Sequence, residues 1–152
     1  MSYNLCCISS SLAADGHKFQ TMTWHRFSQL DRDEALATLS ARTLNNIRVT
    51  YKILQQCAER GWGYRVSSNL FPLLTYEVAA LRLRDYPDYD EIMSVLQTCA
   101  SVIASFSIRV SCHPDQFNVL ASEGKHNVAK TIKELDFHGD YLGDNELAKN
   151  IY

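Results

Sequence analysis

Three times along the chain, a short apolar–polar alternation passes into a polar turn and then into a longer segment with apolar residues at helical spacing. The first alternation is Asn4 to Ile8, followed by Ser9-Ser10-Ser11 and a long polar loop to about Leu30. Leu36, Leu39, Leu44, Ile47, Tyr51, Leu54 and Ala58 then fit a 3.6-residue period with one slip. Asp31 or Asp33 caps that predicted helix, and Gly61 suits its C-terminal end. The second unit has a strand at Tyr64 to Ser67 and a loop holding Pro72 and Pro87. Its helix is capped near Asp88 or Asp90, with the stripe Ile92, Val95, Leu96, Cys99, Ile103 and Phe106. The third has a strand at Ile108 to Cys112 and a helix from about His126, with Val128, Ile132 and Leu135 on one face.

Strand, loop and helix in repeated order predict βαβ units and a parallel sheet, hence the α/β class. Right-handed crossovers then bring all strand ends to one edge, where α/β folds bind ligands. The three expected strand exits, Ser9–Ser11, Ser67–Asn69 and Cys112–Gln116, are all polar.

At 152 residues, 46% hydrophobic and 21% charged, the chain suits a single globular domain. No apolar run is long enough to span a membrane, and no basic segment precedes the first apolar run, so a cytoplasmic location is expected. The net charge of −2 gives no global nucleic-acid signal, so any such claim rests on local features. The five cysteines (Cys6, Cys7, Cys57, Cys99 and Cys112) include no C-x-x-C pair. They read as small apolar residues in a reducing cell, and on a strand Cys6 and Cys7 would point to opposite faces.

The segment RVSCHPDQF places His113 where the third strand ends, although a single histidine there also suits a purely structural hydrogen bond. A metal site needs several ligands, and His17, His25, His126 and His138 have no ligand-like spacing to it. The loop GHKFQTMTWHRF interleaves His17, Lys18, His25 and Arg26 with Phe19, Trp24 and Phe27. Cations beside rings suit phosphate contact and base stacking, while a loop packing its aromatics on the sheet top explains the pattern equally. Lys125, His126, Lys130 and Lys133 read as a solvated helix face. Gln116 and Phe117 pair an amide able to read base edges with a ring able to stack or wedge.

The strings LCCISSSL, TLSARTLNNI, GYRVSSNLFPL and RVSCHPDQF, with ELDFHGDYL as a weaker fifth, occur in an order and spacing that resembles the UV damage endonucleases of alternative excision repair. The resemblance runs to about Leu142, which makes 143–152 a divergent tail. It implies a (β/α) TIM-type barrel of the xylose-isomerase-like kind, here as about three βα units. It also implies nicking of damaged double-stranded DNA 5′ to UV photoproducts, with divalent ions, typically Mn2+. On these positions it makes His113 a metal ligand and Gln116 and Phe117 the pair that enters the duplex, although the family usually carries tyrosine at the position of Phe117. It maps Ser67, Ser68 and Asn69 to a loop near the DNA, although some members carry histidine at the position of Asn69. Lys18, His25 and Arg26 are candidate backbone contacts.

A complete barrel takes about 250 residues. The family's remaining ligands, on later strands, have no counterpart in this sequence, and its catalytic residues are therefore not assigned. The chain alone is expected to be catalytically incompetent and to be open to pairing with a separately encoded C-terminal half. Two other readings remain: a non-catalytic damaged-DNA-binding remnant, and a metal-dependent sugar isomerase of the same barrel superfamily.

Overall fold

The computed structural model describes residues 3–112. The third helix and the 142/143 boundary, like His113, Gln116 and Phe117, lie outside the described residues. Strand β1 (Asn4–Cys6) leads through two short helices, α1 (Ser10–Ala14) and α2 (Trp24–Ser28), to the long helix α3 (Arg32–Arg60). Strand β2 (Gly63–Val66) follows, then three single 3-10 turns at Ser68–Leu70, Glu77–Ala79 and Leu83–Asp85. Helix α4 (Tyr89–Phe106) and strand β3 (Val110–Cys112) complete the described part. The strands are parallel in the order β1-β2-β3, with Leu5 opposite Tyr64 and Tyr64 opposite Val110. This is the expected α/β arrangement, with helices α3 and α4 connecting successive strands.

Helix α3 starts where an aspartate can accept an orphan amide: Asp31 Oδ2 takes the N–H of Asp33 at 3.2 Å. It ends at Gly61, whose φ of 64° is the left-handed conformation that glycine adopts without penalty. The helix buries more than one stripe. Leu39, Leu44, Ile47 and Leu54 are buried as expected, while Leu36, Tyr51 and Ala58 are only half-buried. Ala35, Val49, Ile53 and Cys57 are also buried, with the polar Ser40, Thr43, Asn46 and Thr50. The reason is that α3 meets the sheet, α4 and the loops above the strands at once.

Helix α4 buries Ile92, Leu96, Cys99 and Ile103. Phe106, expected on that stripe, is 61% exposed because the helix ends there, before Ser107 turns into the left-handed region. Asp88 occupies the N-cap position without capping the helix through its side chain. Its carboxylate instead accepts from Ser40 Oγ at 2.8 Å, and its own N–H donates to that oxygen at 3.1 Å, which ties α3 to α4.

The loop expected between Ser9 and Leu30 holds α1 and α2, each started by a hydroxyl cap. Ser9 Oγ accepts from Leu12 N and Thr23 Oγ1 from Arg26 N. The first strand stops at Cys6, short of Ile8. Cys7 has φ 61°, and Ile8 N donates back to Cys6 O at 2.7 Å, closing a three-residue turn.

Tyr64, fully buried, and Val110 face the helices, with Leu5 half-buried beside them. The alternate positions Asn4, Cys6, Arg65 and Arg109 are exposed and Ser111 is half-buried, so the second sheet face is polar. Gly63 packs directly against Asn4 of β1 and the backbone of Arg109. A Cβ there would overlap the Asn4 side chain and come within 2.8 Å of the Arg109 carbonyl.

Candidate nucleic-acid interface at the strand ends

Parallel pairing brings the segments after β1 and β2 to one edge of the sheet. Helix α3 fixes what stands there. Its Asn46, fully buried, presents a complete amide to two loops. Asn46 Oδ1 accepts the Gln20 N–H at 2.7 Å, and Asn46 Nδ2 donates to the carbonyls of Gln20 and Asn69, each at 2.9 Å. One residue earlier, Asn45 Nδ2 donates to the Lys18 carbonyl at 2.9 Å. One turn back, Arg42 Nη1 donates to the Thr21 carbonyl at 2.5 Å. Arg32 Nη1 reaches the Ala79 carbonyl at 3.1 Å and thereby holds the second loop.

A loop backbone without a ladder partner needs such donors and acceptors when it is packed down. These polar residues sit at helical spacing along α3, and the string ARTLNN was where to find them. The sequence reading, following apolar positions, passed over them.

Within the first loop the aromatics and the cations separate. Phe27 is buried and Trp24 half-buried, with the two rings stacked at 5.6 Å between centroids. Trp24 also lies against Tyr76 of the second loop at 5.5 Å, and the Arg32 guanidinium sits 5.4 Å over the Phe27 ring. The packing account therefore holds for Phe27 and ties the two loops together. Lys18, His25 and Arg26 stay exposed around this apolar body. Lys18 borders a cavity of about 260 Å3 with Ile8, Ser9, His17, Phe19 and Val49.

The residues expected at the second strand exit divide as well. Ser67 is buried, and its Oγ accepts from Asn69 N at 3.2 Å. Its hydroxyl shapes the turn. Ser68 is half-buried and Asn69 exposed, so these two have access to a ligand. At the first exit, Ser9 Oγ donates to Gln56 Oε1 at 2.7 Å, and Gln56 Nε2 donates to Ser11 Oγ at 3.1 Å.

Among the described residues, no three histidine, cysteine or acidic side chains gather in a way that would hold a metal ion. The expected ligand His113 is outside them. No helix among the described residues is long and apolar enough to cross a membrane.

The family model described as UV-endonuclease UvdE matches residues 1–151. The chain belongs to this family. A UV DNA damage endonuclease of Bacillus mycoides (strain KBAB4) is 29% identical over 135 residues, covering 88% of this chain and 41% of that protein. One from Nostoc sp. (strain PCC 7120) is 32% identical over 132 residues, covering 83% and 39%. The crystal structure of SacUVDE superposes with a TM-score of 0.73 at 26% identity, covering 97% of this chain and 46% of that one. This UvdE-family chain thus spans less than half the length of these relatives. Its three-stranded parallel sheet is consistent with part of a barrel.

Proposed function

We propose that this chain is part of a DNA repair endonuclease that hydrolyses a phosphodiester 5′ to UV photoproducts in double-stranded DNA. The observation that carries this reading is the family match along residues 1–151. The geometry supports it: two loops at the common strand edge are bolted to α3 and leave Lys18, His25, Arg26, Ser68 and Asn69 exposed. Exposed cations on a fixed frame suit phosphate contacts, which position a protein on a duplex without reading sequence. Lesions weaken stacking, so a wedge such as Phe117 beside Gln116 would enter most easily at damage.

The divalent ions of this reading, with Mn2+ as the expected one, would be held by His113 together with ligands that the described residues do not supply. The described part is assigned to the fold and to DNA contact, and the isolated 152-residue chain is proposed to bind without cleaving. A non-catalytic damaged-DNA-binding remnant shares this behaviour, and the sugar-isomerase alternative gains nothing from the comparisons.

The test measures binding and nicking together, with irradiated and intact plasmid, Mn2+ or chelator, and the purified chain. Binding that favours irradiated DNA, with no nicking, is the expected result. Metal-dependent nicking abolished by His113→Ala would overturn the assignment of the chain to binding alone. Equal affinity for intact and irradiated DNA would overturn the damage-recognition reading.

A further inference from the structure

Cys6 and Cys7 are adjacent in sequence, and on a continuous strand they would face opposite ways. The structure breaks that alternation. Cys7 takes φ 61°, a conformation uncommon for a side-chain-bearing residue, and the two Sγ atoms come to 3.8 Å.

Three hydrogen bonds hold the turn in this form. Ile8 N donates to Cys6 O at 2.7 Å, Cys7 N to Arg65 O at 2.8 Å, and the Tyr64 hydroxyl to Cys7 O at 3.0 Å. Two of the three anchor the dithiol to β2, so its geometry is imposed by the sheet and not by the local chain. Cys6 is exposed and Cys7 half-buried, which leaves the pair open to a small reagent at the strand edge. Cys57 and Cys99 are buried, out of reach of such a reagent. Neither belongs to the candidate DNA interface, and nothing in the proposed endonuclease reading uses Cys6 or Cys7.

We propose that Cys6 and Cys7 form a redox-modification site that a hydroperoxide converts reversibly to a Cys6–Cys7 disulfide. The exposed Cys6 sulfur, as thiolate, attacks the distal peroxide oxygen. The O–O bond breaks, an alcohol (or water) leaves, and Cys6 becomes a sulfenic acid. The Cys7 sulfur then attacks the Cys6 sulfur, the S–O bond breaks, and the hydroxyl departs as water with the Cys7 proton. Two thiols are oxidised by two electrons and one peroxide is reduced. The sulfurs start 3.8 Å apart and must reach about 2.0 Å, which closes an eight-membered ring and takes a twist of the Cys6–Cys7 peptide as well as side-chain rotation. A sulfenic acid with a second thiol in reach condenses to a disulfide before further oxidation. Burial raises the Cys7 thiol to about 11, helped by its contact with Cys6, so Cys7 acts second and ring closure speeds up with rising pH.

The experiment treats the reduced full chain with hydrogen peroxide, alkylates it and digests it with trypsin. The peptide ending at Lys18 contains Cys6 and Cys7 and no other cysteine. It should lose the mass of two hydrogen atoms, resist alkylation and regain both thiols with reductant. Cys7→Ser should leave Cys6 as a sulfenic acid that dimedone traps, several-fold more than in the native chain. The same oxidation in urea, where the anchored turn is lost, should close the ring several-fold more slowly. Equal dimedone adduct in native and Cys7→Ser chains, sulfinic acid as the main product, or equal closure rates folded and in urea would each overturn the proposal.

Discussion

Asn46 and Gln20 exchange two hydrogen bonds, side-chain amide to backbone amide, in the pattern one strand residue uses to pair with another. The loop that carries the candidate DNA contacts therefore has a ladder partner, supplied by a single buried side chain of α3. The same amide also holds Asn69 O, so both strand exits depend on it.

Replacing Asn46 with alanine removes the partner of the Gln20 N–H and carbonyl and of the Asn69 carbonyl, groups that belong to exposed residues and that water reaches in part. Asn46→Ala is expected to lower unfolding stability by about 1–3 kcal/mol in urea titration and to weaken DNA binding with it. A loss below about 1 kcal/mol would show that water replaces the amide at no cost.

Gly63→Ala is expected to destabilise by about 1–3 kcal/mol, the usual range for overpacking. The Asn4 side chain can swing aside, but the Arg109 carbonyl belongs to the neighbouring backbone and must move with its strand. Thermal unfolding of the variant measures this, and adding Asn4→Ala should recover only part of the loss.

Lys18→Ala, His25→Ala and Arg26→Ala are expected to weaken binding to irradiated and intact duplex alike while leaving stability unchanged. Each cation that meets a phosphate contributes about one unit to the slope of log affinity against log salt. Salt titrations of the lysine and arginine variants should each show a slope shallower by about one, and an unchanged slope would remove that residue from the interface.

Burial pushes the Cys57 thiol from its ordinary 9.0 up to about 11 and the Cys99 thiol up to about 12. Burial likewise raises the Tyr64 hydroxyl above its ordinary 10.0. The folded chain thus keeps protons that the unfolded chain releases, so folding is favoured fully below pH 9 and progressively less as pH rises from there towards 12. Urea unfolding across this window should show falling stability. Thiol labelling should modify Cys6 in the native chain and reach Cys57 and Cys99 only on unfolding.

The Ser40–Asp88 contact and the Arg48–Glu91 ion pair both touch α4, yet they should differ in worth. Arg48 and Glu91 are more than half exposed, so Glu91→Gln is expected to cost under 1 kcal/mol. Ser40 is fully buried, and Ser40→Ala leaves the Asp88 carboxylate and N–H without their partner. Its expected cost is about 1–3 kcal/mol in the same urea titration.

Periodicity and punctuation determined a good deal on their own. The two long helices and the three strands of the described part, in their succession along the chain, follow from apolar spacing, from Asp31 at one helix start and from Gly61 at its end, because such signals act within a few residues of backbone. The family was legible in four short strings, and the exposed cations of the first loop were legible as cations.

What no local signal contains is which polar side chain meets which distant backbone group. Asn46 lies 26 residues from Gln20 and 23 from Asn69, and only the packing of α3 across the strand ends brings them together. The same holds for Asp88, which sits where a cap belongs but bonds Ser40. It holds for Cys7, whose turn away from the strand is held by Tyr64 and Arg65 of the neighbouring strand. Local sequence sets where elements begin and end through short-range sterics and hydrogen bonds. Burial without water then drives most remaining polar groups to find a partner across the fold, and that choice belongs to the tertiary structure alone.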